Sequence, residues 1–346
     1  MNHLIFRALV FLLLIFPTSS WAEEVELLGA GSTLAYPLYS AMFETYWKET
    51  GVRVNYQAIG SGGGIRQLIN RTVDFGATDA FMTIEELAAA PAKILHIPTC
   101  IGAVVVTYNL AGNPQLKFTP DVIADMFLGK LTWWDERRIV TLNPAVKLPH
   151  LKMIIVRRSD GSGTTFAFTD YLSKVSETWM REVGRGKAVN WPVGLGAKGN
   201  PGVAGLISQL PGAIGYVELV YALQNGMPVA SIENRSGKFV LPTIMSTTLA
   251  EEVPLPEDMR VSITDTRAPD GYSISSFTWL LVYKEQAYQG RSVERAKHLA
   301  KLLWWVTHQG QKYTEPLHYA PLPVEAVKRA DRIIESMTYD GKPLLK

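Results

Sequence analysis

The stretch Arg157-Arg158-Ser159-Asp160-Gly161-Ser162-Gly163-Thr164-Thr165 follows an apolar run, Met153 to Val156, and precedes a helical pattern that puts Phe168, Leu172 and Val175 on one face. Strand, tight polar turn, helix is the unit it predicts. The turn then sits at a helix N-terminus, where free backbone N–H groups and the helix dipole favour an anion. Ser162 is placed to cap the helix, and Gly161 and Gly163 let a ligand approach the backbone. Arg158 adds a planar cationic fork suited to phosphate, and Asp160, two residues on, is its simplest ion-pair partner.

Working outward, the same unit recurs upstream. Val25 to Leu28 reads as a strand, followed by Gly29-Ala30-Gly31-Ser32-Thr33 and a helix carrying Ala35, Leu38, Met42 and Tyr46 on one face. Val52 to Gln57 is the next strand, Gly60-Ser61-Gly62-Gly63-Gly64 a turn, and Ile65 to Arg71 the start of another helix. Asp74 to Ala77 is a short strand that delivers Thr78-Asp79-Ala80. This βαβαβ rhythm predicts an α/β fold with mixed, mostly parallel sheets flanked by helices. Ile101 to Tyr108 and Phe277 to Tyr283 are apolar strand candidates far apart in sequence, read as two hinge crossings between lobes. One lobe is expected at 24–106 plus 276–346 and the other at 107–275. Helical patterns at Val293 to Thr307 and Pro323 to Met337 close the chain.

The first 22 residues stand apart. A basic start ending at Arg7, an apolar core from Ala8 to Phe16 and Ser20-Trp21-Ala22 form a secretory signal peptide with a small-x-small cleavage site. With no cysteine at that site, export to the periplasm without a lipid anchor is expected. The whole chain has 34 Lys+Arg against 32 Asp+Glu, a formal charge of +2. No broad basic surface suggests nucleic acid, and the single Cys100 cannot form an internal disulfide.

Three turns share one chemistry: Gly31-Ser32-Thr33, Gly60-Ser61-Gly62 and Ser162-Gly163-Thr164 each place a small hydroxyl residue beside glycine at a helix start. One such turn is ordinary capping. Three beyond the ends of parallel strands can converge on one cleft and offer an anion many neutral donors. Asp79 has the opposite sign. A carboxylate facing a dianion repels it unless the ligand carries a proton, as hydrogen phosphate does and sulfate does not; the plainer reading is a turn or cap residue. Gly194-Leu195-Gly196-Ala197-Lys198-Gly199 fits a dinucleotide spacing, but Trp191-Pro192 before it is no buried strand. No nucleophile elbow, P-loop or paired histidines are present, so neither catalytic residues, metal nor cofactor are expected.

The segments Gly29 to Thr33, Val54 to Gly64, Val73 to Ala80, Arg157 to Thr165, Gly194 to Gly199 and Leu210 to Glu218 together resemble the phosphate-binding protein family of bacterial phosphate ABC transporters. The resemblance spans nearly the whole chain after residue 22. It implies a two-lobed periplasmic binding protein of type II closing on inorganic phosphate, a monomer that delivers its ligand to membrane permease subunits served by a cytoplasmic ATPase. Carried over by position, Thr33 and Ser61 donate from the first lobe, Leu34 contributes its backbone N–H and Asp79 accepts the phosphate proton. Arg158, held by Asp160, grips phosphate oxygens, and Ser162, Gly163 and Thr164 complete the cage. Alternatives are a receptor for sulfate or molybdate, a phosphate-binding sensor or adhesive protein, and an enzyme with the same anion cage.

Overall fold

A computed structural model of the chain describes residues 25–345, so the signal-peptide segment lies outside the described residues. Eight strands form one continuous sheet: β1 (Glu26–Gly31), β2 (Arg53–Gln57), β3 (Phe75–Thr78), β4 (Ile94–Tyr108), β5 (Ile154–Arg158), β6 (Leu195–Ala197), β7 (Ala213–Glu218) and β8 (Ser275–Tyr283), in the order β2-β1-β3-β8-β4-β7-β5-β6. Parallel pairs (β1 with β2 and β3; β5 with β6 and β7) lie on either side of the antiparallel β8 and β4. The mixed, mostly parallel α/β architecture expected from the βαβ rhythm is the one observed.

The 15-residue β4, buried along its whole length, ties the sheet together. Its first part pairs with β8 as far as Ala103, and its second part pairs with β7 from Val104 onward. Continuous apolar burial favours Ile-Leu and Val-Val-Val runs over alternation, because both faces are covered. The second strand read as a crossing runs differently. β8 begins at Ser275 opposite Ala103 and stays beside β3 and the first part of β4, so the chain returns between the halves just before it, where Val104 N–H donates to the Ile274 carbonyl at 2.8 Å. A buried strand reads the same in sequence whichever neighbours it has, so periodicity could not separate a crossing strand from one that ends there.

Helices cover both faces. In α1 (Tyr36–Thr50), Leu38, Tyr39, Met42, Phe43 and Tyr46 are buried, with Pro37 tolerated in the first turn. Tyr39 and Phe43 pack with Tyr56 of β2 and Phe75 of β3, ring centroids 5.4–6.2 Å apart. The helix α2 (Ser61–Ile69) opens four residues earlier than its apolar pattern predicts. Its glycines, read as a turn, form the first turn of the helix because it presses against β1: a Cβ on Gly64 would lie 2.4 Å from the Ala30 carbonyl oxygen. After β5 comes α3 (Gly163–Val175), after β6 α4 (Gly199–Gln209), and after β7 α5 (Leu219–Gln224). Near the C-terminus α6 (Val293–Thr307) and α7 (Val324–Glu335) pack on the first half, within two residues of the expected spans. Among the described residues no helix is long and apolar enough to cross a membrane.

Candidate anion site between the sheet halves

The carboxyl ends of β1 and β3 and the N-terminus of α2 meet those of β5, β6 and β7 with the helices that follow them. β1, β5, β6 and β7 each lead into a helix that starts here, while β3 ends in Asp79, so one side of the site is built from the first half and the other from the second. The residues gathered here are closed off from solvent: Ser32, Ser162, Thr164 and Asn200 are wholly buried, and Thr33, Ser61, Asp79 and Arg158 nearly so.

Asp79 sits on the first side, just past β3. Ser32 Oγ donates to its Oδ1 at 2.5 Å, Thr278 Oγ1 to the same oxygen at 2.9 Å, and Ser61 Oγ approaches Oδ2 at 3.4 Å. Burial pushes this carboxyl up to about 6 from its ordinary 3.8, opposed by the Ser32 and Thr278 hydroxyls, the Arg158 charge and Ser61. Above that pH it is an ionised acceptor facing donors. Ser61 Oγ in turn accepts from the Asp79 N–H at 3.2 Å and, across the cleft, from the Gly163 N–H at 3.1 Å.

On the second side the Arg158 guanidinium, 1% exposed, forms a two-pronged pair with Asp160: Nε to Oδ1 at 2.7 Å and Nη2 to Oδ2 at 2.5 Å. Burial raises the Asp160 carboxyl, but the Arg158 bonds and charge, with the Gly199 N–H at 3.0 Å, hold it below the usual range. With Nε and Nη2 committed, Nη1 is the prong left over; it lies 3.3 Å from Thr164 Oγ1. Tyr216 OH braces the strand end by accepting from the Arg158 N–H at 3.2 Å.

Asn200, in the first turn of α4, joins the sides. Its Nδ2 donates to Thr33 Oγ1 and to Thr164 Oγ1, both at 3.0 Å, and its backbone N–H reaches Thr33 Oγ1 at 3.2 Å. Tyr221 OH donates to the Thr33 carbonyl at 2.7 Å, and the Gly62 N–H to the Gly161 carbonyl at 2.8 Å. Among the described residues, the backbone N–H groups of Thr33, Leu34, Ser61 and Thr164 have no acceptor. Buried N–H groups are almost always paired, so four such donors around a guanidinium form a candidate seat for oxyanion oxygens.

The structure therefore brings Thr33, Leu34, Ser61, Asp79, Arg158, Gly163 and Thr164 to one place. Ser162 stands slightly aside: its hydroxyl caps α3 by accepting from the Thr165 N–H at 3.0 Å. Leu34 offers its N–H while its wholly buried side chain packs in the core. Sequence reading missed Thr278, Asn200 and Tyr221. Thr278 had a signal, a hydroxyl set among the apolar residues Phe277 and Trp279 to Val282 of its strand. Asn200 lay just beyond the glycine run dismissed for lack of a buried strand. The structure places a short strand inside that run, β6, and starts α4 at Gly199.

Comparisons with known proteins bear on the family and the fold. A family model described as a PBP superfamily domain matches residues 17–309. The chain is 40% identical over 320 residues to the phosphate-binding protein PstS of Xylella fastidiosa, covering 91% of this chain and 86% of that one. To PstS of Pasteurella multocida it is 39% identical over 347 residues, covering 98% of each. Among solved structures, a high-affinity periplasmic phosphate-binding protein, PfluDING, bound with phosphate, superposes with a TM-score of 0.70 at 19% identity, over 89% of this chain and 93% of that one. A phosphate-binding protein from Stenotrophomonas maltophilia gives 0.67 at 16% identity, over 90% and 93%. At those identities the structures speak for the fold.

Proposed function

We propose a function from one premise: the chain belongs to the family of PstS phosphate-binding proteins, the substrate-binding components of phosphate ABC importers. It binds inorganic phosphate in the cleft between the sheet halves and delivers it to membrane permease subunits driven by a cytoplasmic ATPase. It acts in the periplasm as a monomer that changes no bond in its ligand.

The observation that carries this reading is the pairing of a buried acceptor with a surplus of donors. Phosphate at neutral pH is a mixture of monoanion and dianion, and each form carries at least one O–H. Three oxygens accept from Arg158 Nη1, the hydroxyls of Ser61 and Thr164 and the N–H groups of Thr33, Leu34, Ser61 and Thr164. The fourth gives its proton to Asp79. Because Asp160 already neutralises Arg158, neutral donors do most of the holding, each charge-assisted bond contributing about 1.5–3 kcal/mol.

Ligand reaches so buried a site only if the halves part. We place the lobes at 24–106 plus 276–346 and at 107–275, with the hinge at the Ala103–Val104 change of partner in β4 and the adjacent return before β8. Opening breaks the Gly62–Gly161 and Ser61–Gly163 bonds and the 2.5 Å ion pair between Lys187 and Glu86.

Closing an empty cleft buries Asp79. A carboxyl raised from 3.8 to about 6 makes the sealed arrangement less stable as pH rises through that window, by roughly 3 kcal/mol once fully ionised. Below pH 3.8 the penalty is absent. At neutral pH this penalty biases the empty protein toward the open form, and phosphate, by supplying a proton, removes it. Small-angle scattering of ligand-free protein is expected to show compaction as pH falls from 7 to about 4. Unchanged dimensions would count against this linkage.

At Gly163 the halves lie in close contact. A Cβ there would lie 2.6 Å from Asp79 Cβ and from Ser61 Oγ. Gly163→Ala is expected to leave each lobe folded but block full closure, weakening phosphate binding by about a hundredfold or more. Wild-type affinity in calorimetry would show that the lobes do not seal as described. The decisive general test is calorimetric titration with phosphate, arsenate, sulfate and molybdate. At pH 7 phosphate and arsenate should bind far more tightly than sulfate and molybdate; equal binding of all four would overturn the proton-acceptor reading.

A further inference from the structure

Asp74 lies at the opposite end of β3 from Asp79, in a setting that the cleft does not use. Arg291 Nη1 donates to its Oδ1, Arg295 gives Nε to Oδ1 at 2.8 Å and Nη2 to Oδ2 at 2.7 Å, and the Leu28 N–H reaches Oδ2 at 2.6 Å. Those four bonds use up the acceptor capacity of one carboxylate. Arg291 nevertheless keeps Nε and Nη2 buried and without partners, on a side chain only 6% exposed. Arg71 adds a third guanidinium, centred 5.1 Å from the Tyr288 ring and 5.3 Å from that of Tyr283, with its own Nε buried and unpartnered. Arg291 shares the Tyr288 ring at 5.5 Å.

The charge does not balance. Two guanidiniums hold one carboxylate and a third lines the same cavity; Glu26 acts on Arg295 more distantly, and Glu294 pairs with Lys297 on the surface. Among the described residues no carboxylate but Asp74 lies within 4.0 Å of Arg291, and none lies that close to Arg71. A buried cation without its counter-charge is costly. Arg71 also holds a backbone φ of +56°, a region that long side chains seldom occupy, so its guanidinium is kept here against a local preference. These residues line a cavity of about 380 Å³ with Tyr288, Gln289, Gly290 and Ser292. Ser292 caps the 15-residue α6, whose N-terminal dipole adds to the positive field.

We propose that this pocket is a second anion site, taking a phosphate group as the missing counter-charge of Arg71 and Arg291, either as free phosphate or at the end of a phosphomonoester. The cleft encloses its ligand on all sides and excludes esters. The pocket is open on one side and tolerates a substituent. It lies wholly within the first half of the sheet, so its occupancy does not depend on closure or on what the cleft binds.

The test is ¹⁵N NMR of arginine Nε–H groups in the full chain, with the cleft already saturated by phosphate. Further inorganic phosphate, and in a separate arm glycerol phosphate, is titrated to about 50 mM. A second phase with a midpoint on the order of 1 mM is expected to move the Arg71 and Arg291 signals. A shift with phosphate alone identifies free phosphate as the ligand; a shift in both arms identifies the shared phosphate group. Arg71→Gln should weaken this phase about tenfold or more without changing the tight first phase, and Arg71→Lys should restore part of it. Arg295→Gln, at a half-exposed position, is the second variant should Arg71→Gln fold poorly. No second phase, or one indifferent to both glutamine variants, would overturn the proposal.

Discussion

Asp79→Asn is expected to cut the preference for phosphate over sulfate about a thousandfold at pH 7. Sulfate brings no proton, so it must be met by a protonated Asp79, a form that is rare at pH 7 for a solvated carboxyl of ordinary pKa 3.8. Reaching that form at pH 7 costs a little over three pH units, or about 4 kcal/mol. Asparagine removes the cost, because its amide donates to a sulfate oxygen while its carbonyl still accepts from Ser32 and Thr278. The pH profile makes the argument sharper. Wild-type sulfate binding should strengthen about tenfold per unit as pH falls from 8 toward 4, whereas the asparagine variant should be flat over that range. Competition calorimetry with the two anions reads both effects. A phosphate-to-sulfate ratio that stays within tenfold of wild type would mean that shape, not the proton, selects the ligand.

Arg158→Ala should weaken phosphate binding by two to four orders of magnitude, about 3–5 kcal/mol. Two losses combine. The ligand forfeits the Nη1 contact and the positive member of the Arg158–Asp160 pair, in a site where water cannot screen charge. Asp160 is left with only the Gly199 N–H, so the second side of the cleft carries an uncompensated carboxylate facing an anion. Arg158→Lys restores the charge but not the fork, since one ammonium cannot serve both Asp160 oxygens and the ligand. Its affinity should fall between the two. If Asp160 is removed together with Arg158, the second mutation should cost far less than it does alone, the signature of a coupled pair. Wild-type affinity in Arg158→Ala would demote the guanidinium to a brace for the turn.

Much of the fold was readable because its elements advertise themselves locally. The Ser162 cap, the glycine turns and the apolar strands before them are decided within a few residues, and β1, β3, β5, α1 and α3 fall close to where their patterns put them. Errors came where a distant neighbour overrides local preference. The glycines of α2 look like a loop until Ala30 is seen pressing on Gly64. β8 looks like a crossing until its pairing with β3 and β4 is known. Asn200 follows a glycine run whose strand has only three residues, too few for periodicity to register.

The chemistry divides in the same way. The sequence by itself determined the donor types: hydroxyls and glycines at helix starts, one arginine beside one aspartate, and an aspartate after a strand. Those depend on residue identity and on spacings of two or three, which the chain cannot change by folding. Only the tertiary structure decided that the turns at Thr33, Ser61 and Thr164 face one another and that Thr278 and Asn200 complete the network. It also decided that Asp79 is buried enough for its proton affinity to matter. Burial and convergence are properties of how the halves meet, and the contacts that produce them join residues far apart in the chain, as Asp79 and Thr278 are at 199 positions.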